Sequence, residues 1–110
     1  MSPTELKDAI VAILEDKKAI DIAVIPVGER TIIADFFVIC TGRSSTQVRT
    51  LSDNLVEKME ENGEIVLRTE GVRNGKWAVL DYGAVIVHIF NDETRLFYCL
   101  EKHWTEKNPD

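Results

Sequence analysis

Phe36-Phe37-Val38-Ile39-Cys40-Thr41, running into Gly42-Arg43-Ser44-Ser45, is the stretch that decides the fold. A strand with one wet face alternates apolar and polar residues, whereas this one is apolar on both faces and so reads as a central, doubly covered strand. Gly42-Arg43 turns the chain. Ser44 followed by Gln47 three residues on has the spacing of a helix N-cap with a capping box. Val48, Leu51, Leu55 and Met59 then recur on one helical stripe, and Asn62-Gly63 stops the helix.

Working toward the N-terminus, Asp21 to Val27 is strand-like. Pro26 has no ladder donor, which places that strand at an edge or puts the proline at its end. Gly28 to Ala34 is the connection. Ser2, Pro3 and Glu5 supply an N-cap, a proline in the first turn and a capping-box acid, and Leu6, Ile10, Ile13 and Leu14 follow at helical spacing, so a helix is expected over 3–18. Toward the C-terminus three β segments are expected, Ile65 to Glu70, Trp77 to Tyr82 and Ala84 to Phe90. Asn74-Gly75 is a hairpin signal between the first two, and Asp81-Tyr82-Gly83 makes a tight connection to the third. Asn91 or Asp92 can cap a last helix carrying Leu96, Phe97, Leu100 and Trp104, with a frayed end at 108–110. The expected fold is α/β: a mixed β-sheet flanked by helices, in the order α-β-β-α-β-β-β-α, forming a single domain over 1–110.

The 110 residues, 45% hydrophobic and 29% charged, suffice for one core and exclude a disordered tail. Thirteen Lys and Arg against nineteen Asp and Glu leave a net charge of −6. Nucleic-acid affinity comes largely from cationic side chains displacing counterions, so direct nucleic-acid binding is not expected, while a basic protein partner suits the charge. The acids are concentrated: from Asp53 to Gly71 six face two bases. Cys40 and Cys99 fit no C-x-x-C or secreted spacing and read as buried thiols of a reducing compartment. The first twenty residues hold no targeting pattern, and the longest apolar runs are too short for a bilayer, so a cytoplasmic protein with no membrane contact is expected.

Four constellations bear on chemistry. The Gly42 to Ser45 turn, between a strand and a helix N-terminus, could hold a phosphate and is similar to the Gly-Ser turn of nucleotidyltransferases. That chemistry needs paired carboxylates on a neighbouring strand, and Ile65-Val66-Leu67-Arg68-Thr69 provides none, so a plainly capped helix start is the simpler reading. Cys40 and His88 form a nucleophile–base pair only with an orienting third group, which is missing; His88 alternates with Ile86 and Phe90 as a core histidine would. Cys40, His88, Cys99 and His103 have no ligand-like spacing, so no metal and no cofactor is expected. Trp77 and Trp104 lie near element ends, where tryptophan serves either as a core lid or as an interface anchor. Trp77-Ala78-Val79-Leu80 is apolar on both faces and needs two covering layers or a partner, a homodimer included.

Taken in order, several segments resemble the ribosomal silencing factor family, RsfS, also called Iojap-like. They are Ala34 to Gln47 (ADFFVICTGRSSTQ), Glu70-Gly71, Lys76 to Gly83 (KWAVLDYG) and Val85 to Phe90 (VIVHIF), closing with Arg95, Phe97, Tyr98, Leu100, Glu101 and Trp104. The resemblance covers roughly residues 4 to 105. It implies a nucleotidyltransferase-like α/β fold without the catalytic carboxylates, and hence no enzyme. It also implies binding to the large ribosomal subunit through ribosomal protein fourteen of that subunit, steric exclusion of the small subunit, translational repression when nutrients are short, and a homodimer. By the same resemblance the contact falls on the last two strands and the final helix. Trp77, Leu80, Tyr82, Tyr98 and Trp104 are expected as anchors, and Asp81 as the partner of a basic side chain. Asp35 and Ser44 are read as structural. At Ala84 the chain departs from the family's frequent acid, and no charged contact is expected there.

Overall fold

The computed structural model describes residues 1–29 and 31–92. Its first helix, α1 (Pro3–Asp16), is nucleated by the expected reciprocal cap. The Ser2 hydroxyl accepts from the Glu5 amide at 3.1 Å, and the Glu5 carboxylate accepts from the Ser2 amide at 2.9 Å. Those bonds hold the Glu5 carboxyl below its ordinary value. Leu6, Ile10 and Leu14 form the buried stripe. The helix unwinds through Lys17, and Lys18 takes the left-handed conformation at φ 64°.

Strands β1 (Ile20–Pro26) and β2 (Phe36–Gly42) pair antiparallel, with Pro26 opposite Phe36 at the very end of the ladder. A bulge between Ile20 and Ala23, with Asp21 at φ 51°, bends this outer strand. Helix α2 (Ser45–Glu61) follows. Ser44 caps it by accepting from the Gln47 amide at 3.1 Å, but Gln47 departs from the expected box: its side-chain oxygen accepts from Arg43, at 2.6 Å, rather than from Ser44. Val48, Leu51, Leu55 and Met59 are buried as the spacing predicts. Ser52 joins them because its hydroxyl donates to the Val48 carbonyl at 2.8 Å.

The remaining strands are β3 (Arg68–Glu70), β4 (Trp77–Asp81) and β5 (Val85–Asn91). The five strands lie in the order β1-β2-β5-β4-β3, with β2 and β5 parallel and every other pair antiparallel, which makes the sheet mixed. Of the three helices expected, two fall among the described residues. The expected last helix lies outside them.

One expectation about β3 is corrected. The strand begins at Arg68 and not at Ile65, because its ladder partner β4 ends at Asp81, where Leu67 makes a last bond to the Asp81 carbonyl at 2.8 Å. With no strand left to pair with, Ile65 and Leu67 are 60% and 71% exposed. Asn74-Gly75 does lie in the connection between antiparallel β3 and β4, as expected. The β3–β4 connection runs from Gly71 to Lys76 and docks on the start of α2: a Cβ on Gly75 would lie 2.6 Å from the Ser45 Cβ and 2.9 Å from its carbonyl oxygen. Glycine is required there by close approach as well as by its φ of 73°.

Strand alternation sends side chains to two different environments. Val38, Cys40, Ala78, Leu80, Val85, Val87 and Ile89 face α1 and α2 and form the larger core. On the reverse face Ile39 and Phe90 pack with Ile25, Val27 and Ala34, and Phe37, Trp77 and Ile86 border that cluster. Both described helices therefore cover one face, and the β1–β2 connection contributes to the other.

Candidate functional site

Strand β4 carries four of the residues expected to meet a partner or adjoins them, and alternation divides the set. Trp77, Val79 and Asp81 point to the reverse face, each partly exposed, while Ala78 and Leu80 point to the helices and are fully buried. Leu80 is therefore corrected from a surface anchor to a core residue. Tyr82, just past the strand, is also buried in the helix-side core, at 7% exposure. Burial, aided by the nearby Glu64 carboxylate, pushes its phenol up to about 12, and its hydroxyl has no hydrogen-bond partner among the described residues. Tyr98 and Trp104 lie outside the described residues. Of the expected set, the structure brings Trp77 and Asp81 together on one strand face.

Asp81 already has work within the chain. One carboxylate oxygen accepts from the Gly83 amide at 2.8 Å, which shapes the β4–β5 turn, and the other lies 3.7 Å from the Arg68 guanidinium. The turn has two central residues, with Gly83 at φ 87° and the Tyr82 amide bonded to Val85 at 2.9 Å. A left-handed first residue suits glycine here.

Trp77 sits in an aromatic group that periodicity alone did not assemble. Its indole stacks on Phe90, centroids 5.0 Å apart, and its Nε1–H donates to Nδ1 of His88 at 3.1 Å. Phe37 meets the His88 ring edge-on at 5.0 Å. Phe37 and Phe90 are readable as alternating strand residues, but only the β2–β5–β4 register sets Phe37 against His88 and Phe90 against Trp77. Burial alone drives the His88 imidazole down to about 4, so it is neutral at pH 7. Because Nδ1 accepts, the proton resides on Nε2.

The same register separates Cys40 from His88. Cys40 is opposite Ile89 and faces the helices, whereas His88 is opposite Ile39 and faces the other way, so the two cannot act as nucleophile and base. The Gly42 to Ser45 turn does not form an open cradle either. Ser44 and Gln47 already engage the Gln47 and Arg43 amides, and the Gly75 backbone packs against Ser45. Among the described residues, no group of three His, Cys, Asp or Glu side chains is placed to hold a metal ion, and no helix is long and apolar enough to cross a membrane.

The reverse face of β4 thus holds an indole stacked on Phe90 and bonded to His88, with the Asp81 carboxylate further along the same face. Comparison with known proteins gives the family. The family model described as "Ribosomal silencing factor during starvation", RsfS, matches residues 1–110. The Halalkalibacterium halodurans protein named ribosomal silencing factor RsfS is 38% identical over 104 residues, which cover 94% of this chain and 89% of that protein. A mouse protein named mitochondrial assembly of ribosomal large subunit protein 1 is 31% identical over 94% of this chain and 46% of its own length. A crystal structure of a Chromobacterium violaceum protein superposes with a TM-score of 0.92 at 29% identity, covering 100% of this chain and 92% of that one.

Proposed function

This chain belongs to the ribosomal silencing factor family, RsfS, and from that membership we propose that it represses translation by occupying the intersubunit face of the large ribosomal subunit. Bound there, it excludes the small subunit by volume. The family match across 1–110 carries this reading. The family is regulatory, and the mechanism is occupancy rather than turnover, so affinity and concentration set the effect.

The proposed contact is protein to protein, with ribosomal protein fourteen of the large subunit. A chain with a net charge of −6 is repelled by exposed rRNA and attracted to basic ribosomal proteins. On this chain the contact centres on Trp77 and Asp81. The indole supplies apolar area at small entropic cost, and Asp81 meets a cation if it releases Arg68. Tyr98 and Trp104 join the contact by resemblance to the family, whereas Leu80 and Tyr82 support it from the core. The chain acts in the cytoplasm as a homodimer, on a frame like that of nucleotidyltransferases put to a non-catalytic use. Sucrose-gradient sedimentation of purified subunits tests the proposal: the protein should travel with the large subunit and shrink the joined peak. A protein that stays at the top of the gradient, with joining unchanged, would overturn it.

A further inference from the structure

We infer that His88 is a positioning residue for Trp77: its Nδ1 holds the indole of the partner-binding face in one orientation, so that the anchor is set before a partner arrives. The inference rests on the docking role proposed above for Trp77 and adds a residue to it.

The argument begins with which residue the site could have used. His88 is 8% exposed among Phe37, Trp77 and Phe90, a slot that leucine or phenylalanine would fill without a polar atom. Histidine carries a cost there. With Nδ1 accepting, Nε2 bears a proton, and that buried N–H has no partner among the described residues. The one thing histidine supplies that an apolar residue cannot is the acceptor for the indole.

The histidine is itself held. Phe37 abuts its ring edge-on at 5.0 Å, and Phe90 lies nearly parallel to it, 11° between planes at 6.3 Å. Trp77 opens β4, and the Lys76 carbonyl just before it accepts from the Asn91 amide at 3.1 Å, so the backbone is held and the setting of the indole falls to the neighbours of its side chain. Stacking on Phe90 at 28° fixes the tilt of the indole. The hydrogen bond fixes which edge points inward, and so which edge a partner meets. An anchor ordered beforehand loses less entropy on binding.

Two variants of the full-length protein separate this role from packing. In His88→Asn the amide oxygen can stand in for Nδ1 as acceptor; in His88→Leu no acceptor remains. The Trp77 indole N–H resonance, assigned with Trp77→Phe, reads the bond directly, and cosedimentation with large subunits reads binding. His88→Leu should move the indole resonance, speed its exchange with solvent and weaken binding roughly threefold to tenfold, the worth of one hydrogen bond. His88→Asn should restore both. If His88→Leu moves the resonance but binds as wild type while Trp77→Ala does not bind, the positioning role is wrong and the docking face stands. An unmoved resonance in His88→Leu overturns the bond itself. If Trp77→Ala binds as wild type, the docking face and the role of His88 fall together. Should His88→Leu fail to fold, Trp77→Phe removes the indole N–H together with the ring that carries it, and undiminished binding by that variant overturns the inference.

Discussion

The two faces of the sheet are built from the same strands by different chemistry. The helix-side face is aliphatic: Val38, Leu80, Val85, Val87 and Ile89 interlock with Leu6, Ile10, Leu14, Leu51 and Leu55, and every one is at most 4% exposed. The reverse face buries Ile25, Val27, Ala34 and Ile39 and adds aromatic rings with polar handles, with Trp77 bonded to His88 and Asp81 further along β4. Aliphatic interdigitation fills volume without directing anything outward. Aromatic rings with one polar edge can be oriented, which makes them useful for recognition. Both faces bury core residues, but on β4 the helix-side Ala78 and Leu80 are fully buried, whereas Trp77 and Asp81 on the reverse face stay partly exposed, which suits the contact proposed above.

Adjacent residues of β4 offer the sharpest way to break that comparison. Leu80→Ala should cost about 3–4 kcal/mol of stability, in the range for a fully buried leucine. Val79→Ala, one residue earlier and partly exposed on the reverse face, should cost about 1 kcal/mol. Urea denaturation checks both, and equal losses would mean that the faces are not distinct. Binding should show the reverse preference. Trp77→Ala is expected to weaken the large-subunit complex by about 2 kcal/mol or more, roughly thirtyfold, as a central aromatic anchor does. The protein should keep its cooperative unfolding transition.

A pH titration sharpens the comparison further, because the buried titratable imidazole belongs to the reverse face. The folded His88 imidazole is pulled down to about 4 from an ordinary 6.5. The unfolded chain therefore takes up this proton first as pH falls, so the contribution is complete above pH 6.5 and is lost toward pH 4. About 2 kcal/mol should disappear between pH 6.5 and 5, before most carboxylates titrate. The residues opposite His88 are Ile39 and Val79, and Phe37, Trp77 and Phe90 surround its ring. Asp81 is the nearest acid along β4, two positions from Val79. His88→Asn should remove this slope from denaturation measurements, and an unchanged slope would place the titrating group elsewhere.

The smallest effect tests the helix layer alone. Ser2→Ala removes one half of the reciprocal cap on α1 and should cost about 1 kcal/mol with no change in large-subunit binding. Any loss of binding beyond that expected from the unfolded fraction would tie the helix layer to recognition.

Much of this architecture was legible in the sequence, but its assignment to faces was not. Local signals carried α1, β2, α2 and β5, because caps and stripes depend on residues only a few positions apart. The N-cap role of Ser44 was readable, whereas the choice of Arg43 over Ser44 by the Gln47 side chain depends on local geometry that composition does not specify. The start of β3 was misread because Ile65, Val66 and Leu67 have strand chemistry, yet a strand also needs a partner, and β4 runs out at Asp81. Asn74-Gly75 marks the hairpin between β3 and β4, but the close approach that excludes a side chain at Gly75 comes from Ser45, thirty residues earlier in the chain, and is not legible locally. Trp77-Ala78-Val79-Leu80 is apolar throughout, so nothing within it says which alternate residues face the helices. That follows only from the register with β5, which places Leu80 in the core and sets Trp77 beside His88.

The most direct test of the account mixes purified large and small subunits with the wild-type protein or with Trp77→Ala, and reads the gradient for both the protein and the joined particle. The account predicts that wild type travels with the large subunit and lowers the joined peak, while folded Trp77→Ala does neither. A wild-type protein that stays at the top of the gradient and leaves joining untouched would contradict it, and so would a Trp77→Ala protein that blocks joining as well as wild type.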